Sequence, residues 1–224
     1  MAKRGPEPLA VDTTWTPELA YVVGIFASDG NLGRDSAYLD VTSTDREVVE
    51  NVKKILKLDK VKVGVKRSGN GDRAFRVQFK RVNLHAWFTS IGLHPNKSKT
   101  IGPLNIPDDF FFDFLRGVWD GDGCIYAFWD PRWRSSYMFY ISFASASPAF
   151  LEWLQESTRR LIGVVGKIGG AGKGAMQVRY AKKEARTVFN AMFHQKELPC
   201  LKRKFTKAQK IFTIDERNAQ KWHY

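Results

Sequence analysis

The sequence predicts an α+β protein of two pseudo-symmetric halves. Each half runs helix, strand, strand, helix, strand, strand, helix (αββαββα), and one helix from each packs at their interface. Three observations predict it: a nonamer that occurs twice, the same series of helix and strand patterns after each copy, and small residues recurring along both nonamer helices.

The nonamers are Val22-Val23-Gly24-Ile25-Phe26-Ala27-Ser28-Asp29-Gly30 and Leu115-Arg116-Gly117-Val118-Trp119-Asp120-Gly121-Asp122-Gly123. The first sits in a helix with an identifiable start: Thr16 as N-cap, Pro17 at the first helical position and Glu18 in the first turn. Leu19 to Ala27 is apolar on every side, so this helix is expected to be buried all round. Ala20, Gly24 and Ser28 fall four apart on one face, and the second helix sets Gly117 and Gly121 at corresponding places. Such stripes let two backbones approach closely.

After the first nonamer, Ala37 to Ser43 reads as a strand, Thr44-Asp45-Arg46-Glu47 has capping-box spacing, and Val48 to Leu56 reads as a helix. The second half repeats this with a strand from Tyr137 to Ala144, Ser147-Pro148 as cap and first helical residue, and a helix from Phe150 to Leu161. Each half then has a hairpin with a glycine-rich turn, Ser68-Gly69-Asn70-Gly71 in one and Gly169-Gly170-Ala171-Gly172 in the other. Helices around Leu84 to Ile91 and Ala185 to Phe193 close the halves. The expected divisions are a tail over 1–14, halves over 15–92 and 110–212, a linker over 93–109 interrupted by Pro95, Pro103 and Pro107, and a tail over 213–224. Asp130-Pro131-Arg132-Trp133-Arg134 is extra in the second half and reads either as a longer substrate-facing loop or as a tolerated surface insertion.

Gly30 and Gly123 suit the left-handed residue that ends a helix. Just before them stand Asp29 and Asp122, each at the negative end of a helix dipole, where a carboxylate is unfavourable. Parallel packing of the helices also brings the two acids together, and their repulsion must be offset by a cation or a proton. A divalent metal with hard oxygen ligands resolves this, and magnesium fits better than zinc. An EF-hand starting at Asp120 fails, because it needs an oxygen ligand at Cys124 and a glutamate at Pro131. A sugar-nucleotide transferase reading of Asp-x-Asp leaves Ala27 in the first half unexplained.

Strand alternation sets polar against apolar faces. Arg76, Gln78 and Lys80 oppose Phe75, Val77 and Phe79; Lys60, Lys62 and Lys66 oppose Val61, Val63 and Val65; Gln177 and Arg179 oppose Met176, Val178 and Tyr180. The polar faces can reach phosphates or base edges. Arg73, Arg132, Arg134, Arg203 and Lys204 are further candidates for nucleic-acid contact. With 36 Lys and Arg against 23 Asp and Glu, a net charge of +13 points to a polyanion, either nucleic acid or an anionic membrane surface. No apolar run nears the roughly 20 residues needed to span a bilayer, and Met1 to Asp12 is not of signal-peptide kind, so an intracellular protein is expected. Cys124 and Cys200 fit a reducing compartment and form no Cys-x-x-Cys zinc pair.

The doubled nonamer with matching flanks resembles the LAGLIDADG motif of homing endonucleases, present twice in the family's single-chain members. Lys97-Ser98-Lys99-Thr100 followed by Asn105-Ile106-Pro107 resembles the family's linker, and the order of elements covers nearly the whole chain. The resemblance implies a pseudo-twofold axis through the two helices and a saddle of antiparallel sheets on double-stranded DNA. It also implies intron homing and hydrolysis of phosphodiesters with Mg2+, for which Mn2+ or Ca2+ can substitute. It carries the metal-binding acid onto Asp29 and Asp122 and possible backbone ligands onto Ser28 and Gly121. Ala27 departs from the family's aspartate at the sixth position, which Asp120 keeps. The family adds a lysine and a polar residue near each metal; Lys97 or Lys99, Arg203 or Lys204, and Ser43 and Ser145 stand in candidate positions.

A monomer acting without an obligate protein partner is expected. The alternative function is binding without cleavage, either as a splicing cofactor for intron RNA (a maturase) or as a DNA-binding protein on the same scaffold. His85, His94, His194 and His223 show no repeated pairing, which disfavours an HNH nuclease or zinc hydrolase. Met1 and the terminal Trp222-His223-Tyr224 do not suit an intein, and the stretch after Ile211 is too short for an added helix-turn-helix.

Overall fold

The structure is a computed structural model that describes residues 10–34, 37–67, 73–133, 135–172 and 174–222. The expected turn at Ser68-Gly69-Asn70-Gly71 lies outside the described residues, as does Arg134. The first half comprises α1 (Pro17–Ser28), β1 (Gly30–Leu32), β2 (Tyr38–Ser43), α2 (Arg46–Ile55), β3 (Gly64–Arg67), β4 (Arg73–Lys80) and α3 (Val82–Ser90). The second comprises α4 (Phe111–Asp122), β5 (Gly123–Trp129), β6 (Tyr137–Ser145), α5 (Pro148–Ile162), β7 (Lys167–Gly172), β8 (Ala175–Ala181) and α6 (Lys182–Met192), followed by α7 (Lys202–Trp222). Each half holds one antiparallel four-stranded sheet, ordered β1-β2-β4-β3 and β5-β6-β8-β7. The two αββαββα units predicted from the repeat are present. Among the described residues no helix is long and apolar enough to cross a membrane.

α1 starts as its sequence dictates: the Leu19 N–H donates to Thr16 Oγ1 at 3.1 Å, and Pro17 follows the cap. All residues from Leu19 to Ala27 are buried, and the most extensive helix contact is between α1 and α4. A Cβ on Gly24 would stand 2.1 Å from the Phe114 carbonyl oxygen, and one on Gly117 would stand 2.1 Å from that of Tyr21. One turn later, a Cβ on Gly121 would meet Ser28 Oγ at 2.0 Å. The contacts advance together along both chains, so the helices run parallel and bring their C-terminal ends to one place.

Several local expectations are corrected. Gly30 and Gly123 are not left-handed: Gly123 has φ −89° and ψ 162°, and Gly30 is absent from the positive-φ residues described. Each helix passes directly into a strand, which needs extended backbone. Glycine is required there by crowding, because a Cβ on Gly30 would lie 2.5 Å from Phe26 Cα and one on Gly123 2.6 Å from Trp119 Cα. The capping box at Thr44 to Glu47 does not form either. Asp45 is the N-cap without a side-chain cap bond, and the Glu47 carboxylate accepts from the Lys202 N–H at 3.0 Å.

The strand expected from Lys60 begins only at Gly64, because the chain leaves α2 through Lys57 at φ 51° and a turn closed by Val61 N–H to Leu58 O at 3.0 Å. Gly169 and Gly170 lie within β7, and the turn falls at Gly172 and Gly174, with φ of 85° and 77°. Finally, α7 runs on through residue 212, where a tail was expected to begin, so residues 213–222 are helical.

The linker is pinned by its own burial. Ile101 and Leu104 enter the core, the Asn105 N–H donates to Ile91 O at 2.9 Å, and Ser147 Oγ donates to Ile101 O at 2.5 Å.

Candidate functional site

The meeting point of α1 and α4 is built from two acids and two lysines. Asp29 follows the last residue of α1 and is half-buried; Asp122 ends α4 and opens to solvent. Burial, then the charge of Asp122, pushes Asp29 up to about 6, against the opposing pull of Lys204 and Lys97. Asp122 is also raised, by desolvation in the cleft, and Lys204 and Lys97 oppose the shift. The same two lysines therefore face both carboxylates.

Each lysine closes the C-terminal end of one nonamer helix. Lys97, 5% exposed, rises from a turn of 3-10 helix at Lys97–Lys99 and donates its Nζ to the Gly30 carbonyl oxygen. Burial brings it down to about 8, although Asp122 and Asp29 hold the charge in place. Lys204, 7% exposed, donates to the carbonyl oxygens of Trp119 at 2.6 Å, Gly123 at 2.7 Å, Asp120 at 2.9 Å and Gly121 at 3.3 Å. A cation at these carbonyls, of which Trp119 O also accepts the Gly123 N–H, complements the helix dipole. The structure thus separates Lys97 from Lys99, which is exposed, and Lys204 from Arg203, whose guanidinium pairs with Asp45 at 2.5 and 2.6 Å. Lys204 lies too deep for the surface contact with a polyanion expected of it.

Asp120 has a different task from Asp122. Its Oδ2 accepts from the Leu201 N–H at 2.6 Å and the Tyr21 hydroxyl at 3.0 Å, fastening the start of α7 to the helix pair. Burial pushes it up to about 7, with Leu201, Lys204, Tyr21 and Arg116 acting the other way. The buried Ala27 at the equivalent place in α1 makes no such tie.

Ser43 and Ser145 occupy matching strand ends, but on the faces that pack against helices. Their hydroxyl oxygens accept the N–H groups of Asp45 at 3.2 Å and Ser147 at 3.1 Å, closing the turns into α2 and α5. Ser28 Oγ donates back to Gly24 O at 3.1 Å, and the Gly121 carbonyl already faces Lys204.

The exposed faces of the sheets differ in chemistry. On the first, Arg76, Gln78, Lys80 and Lys66 share one face, and Arg76 is held by the unforeseen Asp40 at 2.6 Å. Arg73 falls on the opposite face, in line with Phe75, but at the open end of β4. Lys60 and Lys62 are exposed in the loop before β3, and Arg132 is exposed and paired with Asp130 at 3.1 Å. On the second sheet, Gln177 and Arg179 share a face with Tyr126, Phe128 and Tyr140. Tyr140 stacks on Tyr126 at 5.3 Å and on Phe128 at 6.1 Å, and the Arg179 guanidinium lies 5.9 Å from its ring. The period-two spacing of Tyr126 and Phe128 held this signal, as the neighbouring Ile125 is buried.

No family model matches the chain, and no curated protein matches it in sequence. Solved structures match in fold. The meganuclease I-SmaMI bound to uncleavable DNA aligns at TM-score 0.60 and 14% identity, covering 93% of each chain. The chain has the LAGLIDADG fold. The homing endonuclease I-DmoI in complex with DNA and Mn shares the LAGLIDADG fold at TM-score 0.52 and 14% identity, covering 81% of this chain and 98% of that one. The N-terminal LAGLIDADG domain of DUF199/WhiA aligns at TM-score 0.55 and 13% identity, covering 83% and 86%. Within the LAGLIDADG fold, the nonamers become the paired α1 and α4, and Asp29 and Asp122 stand where those helices end.

Proposed function

We propose that the protein is a site-specific endonuclease that hydrolyses both strands of a DNA duplex, with a divalent metal, Mg2+ in the first place, held by Asp29 and Asp122. The observation that carries this reading is the pair of acids at the ends of two parallel helices, both pushed toward protonation by their surroundings. The residues fit a hard cation: two carboxylates that repel each other are relieved by positive charge, and both are hard oxygen donors. Among the described residues no cluster of three or more His, Cys, Asp or Glu side chains comes together, so phosphate oxygens and water would complete the shell. When bound, the metal supplies Lewis-acid polarisation of the scissile phosphate and a lower pKa for attacking water.

The chain's own side chains do the rest. Lys97, brought down to about 8, holds positive charge beside the acids at neutral pH and gives up a proton within the working range of a nuclease. Arg76, Gln78, Lys80, Lys66, Gln177 and Arg179 hold the duplex across the two exposed sheet faces. Both acids come from one chain, so a monomer suffices. I-DmoI with DNA and Mn supports a duplex partner and a divalent metal on this fold.

The match to DUF199/WhiA, which is not named as a nuclease, supports a second reading, DNA binding without cleavage. A library of duplexes with randomised centres, incubated with magnesium or with EDTA, separates the two. Cuts that converge on one sequence, need metal and vanish in Asp29→Asn and Asp122→Asn establish the nuclease. Sequence-selective retention without cuts establishes the second reading.

A further inference from the structure

α7 carries a basic flank that the metal centre and sheet faces do not use. Arg203, Lys207, Lys210, Ile214, Arg217 and Lys221 recur at alternating spacings of four and three, which places them in one stripe along the helix. All six are exposed. The other flank, with Gln209, Phe212 and Glu216, turns toward α6, where the Phe212 ring lies 5.0 Å from that of Phe189 and Glu216 accepts from Arg186 at 2.8 Å. The basic flank therefore faces away from α6, beyond β5, the edge strand of its sheet.

Two anchors fix the course of the helix. At its start, Lys204 binds the end of α4 and Arg203 crosses to Asp45 of the first half. Toward its end, Asn218 donates to Ser135 O at 2.6 Å, in the loop between β5 and β6. α7 thus runs beside β5 from the acid pair to the far tip of that hairpin.

Lys207, Lys210, Arg217 and Lys221 have no hydrogen-bond or ion-pair partner among the described residues. Like charges at spacings of three and four weaken a helix. Four unpaired cations in such an array fit a linear polyanion that offsets the repulsion. From Lys207 to Lys221 the helix spans about 21 Å at 1.5 Å per residue, roughly six phosphates of one DNA strand at 3.4 Å of axis each.

We propose that this flank of α7 is a second nucleic-acid surface, which grips the sugar-phosphate backbone of duplex DNA alongside the second sheet. The assignment rests on the duplex-binding reading above. It concerns backbone contacts alone, so it is independent of base sequence and of cleavage.

The test is the salt dependence of binding to a duplex of arbitrary sequence, without metal. The unaltered protein is compared with Lys207→Gln, Lys210→Gln, Arg217→Gln and Lys221→Gln combined, and with a control that removes four charges from the helical side: Lys54→Gln, Lys57→Gln, Lys183→Gln and Lys196→Gln. The α7 variant is expected to lower the slope of log affinity against log salt by about three to four, while the control moves it by less than about one. Unchanged circular dichroism and melting of both variants exclude a folding effect. An equal slope in the α7 variant, or an equal drop in the control, overturns the proposal. A lowered slope without metal-dependent cutting upholds α7 and overturns only the nuclease reading; no duplex binding by the unaltered protein overturns both.

Discussion

Gly24 and Gly117 face each other across the helix pair so closely that a Cβ on either would lie within 3.0 Å of the other's Cα. The obstacles are backbone atoms of the opposite helix, which cannot step aside as a flexible side chain would. Gly24→Ala and Gly117→Ala are each expected to destabilise the protein by about 3 kcal/mol or more, at the upper end of overpacking costs. Gly169→Ala and Gly170→Ala, where a Cβ meets nothing within 4 Å, are expected to stay within about 0.5 kcal/mol. Urea unfolding of the four variants checks the contrast.

Asp29 shows how the acid pair trades stability for charge. Its folded value of about 6 lies above the ordinary carboxylate value of 3.8, so its stabilising share is fully present below pH 3.8 and is lost as pH rises through 6. In metal-free protein at pH 8, Asp29→Asn is therefore expected to raise the melting temperature, and at pH 4 to leave it nearly unchanged. Divalent metal should raise the melting temperature of the unaltered protein and not that of the variant. Thermal scans with EDTA or magnesium at the two pH values decide it.

Lys204 is expected to matter more than its neighbours. Lys204→Met removes the ammonium donor from the carbonyl oxygens of Trp119, Asp120 and Gly123, of which Trp119 O keeps the Gly123 N–H, and removes the cation beside Asp120. A loss of about 3 kcal/mol or more follows. Lys99→Met, at an exposed site, is expected to cost no more than about 0.5 kcal/mol. Chemical denaturation of both proteins measures the difference.

Asp120 makes stability depend on pH as well. With a folded value of about 7 against 3.8, it favours the folded state at low pH, and that contribution fades as pH rises from about 4 to above 7. The stability difference between Asp120→Asn and the unaltered protein should shift in the variant's favour by on the order of 4 kcal/mol across that range. A pH-independent difference would show that Asp120 ionises freely in the folded state.

What the sequence made legible follows from where local chemistry decides the structure. The cap Thr16-Pro17, the small-residue stripe of Gly24 and Gly117, and the alternation of Arg76, Gln78 and Lys80 with Val77 and Phe79 each act within one element, and each appears where expected. The failures lie where a distant partner intervenes. Glu47 has the spacing of a capping box but is drawn to the N-terminus of α7, 155 residues away. Lys97 and Lys99 are alike in sequence; only the fold buries one against Gly30 and leaves the other in water. Glycine at positions 30 and 123 suggests a turn in sequence, whereas the chain uses its lack of a side chain.

The central claim is that Asp29 and Asp122 together hold one metal-dependent centre. Anomalous diffraction from crystals of the protein bound to its selected duplex and grown with Mn2+ tests it most directly. The expected result is an anomalous peak within coordination distance, about 2 Å, of a carboxylate oxygen from both residues, lost in Asp29→Asn. A duplex seated across the sheets with no peak at these acids, or with manganese bound elsewhere, would contradict the account.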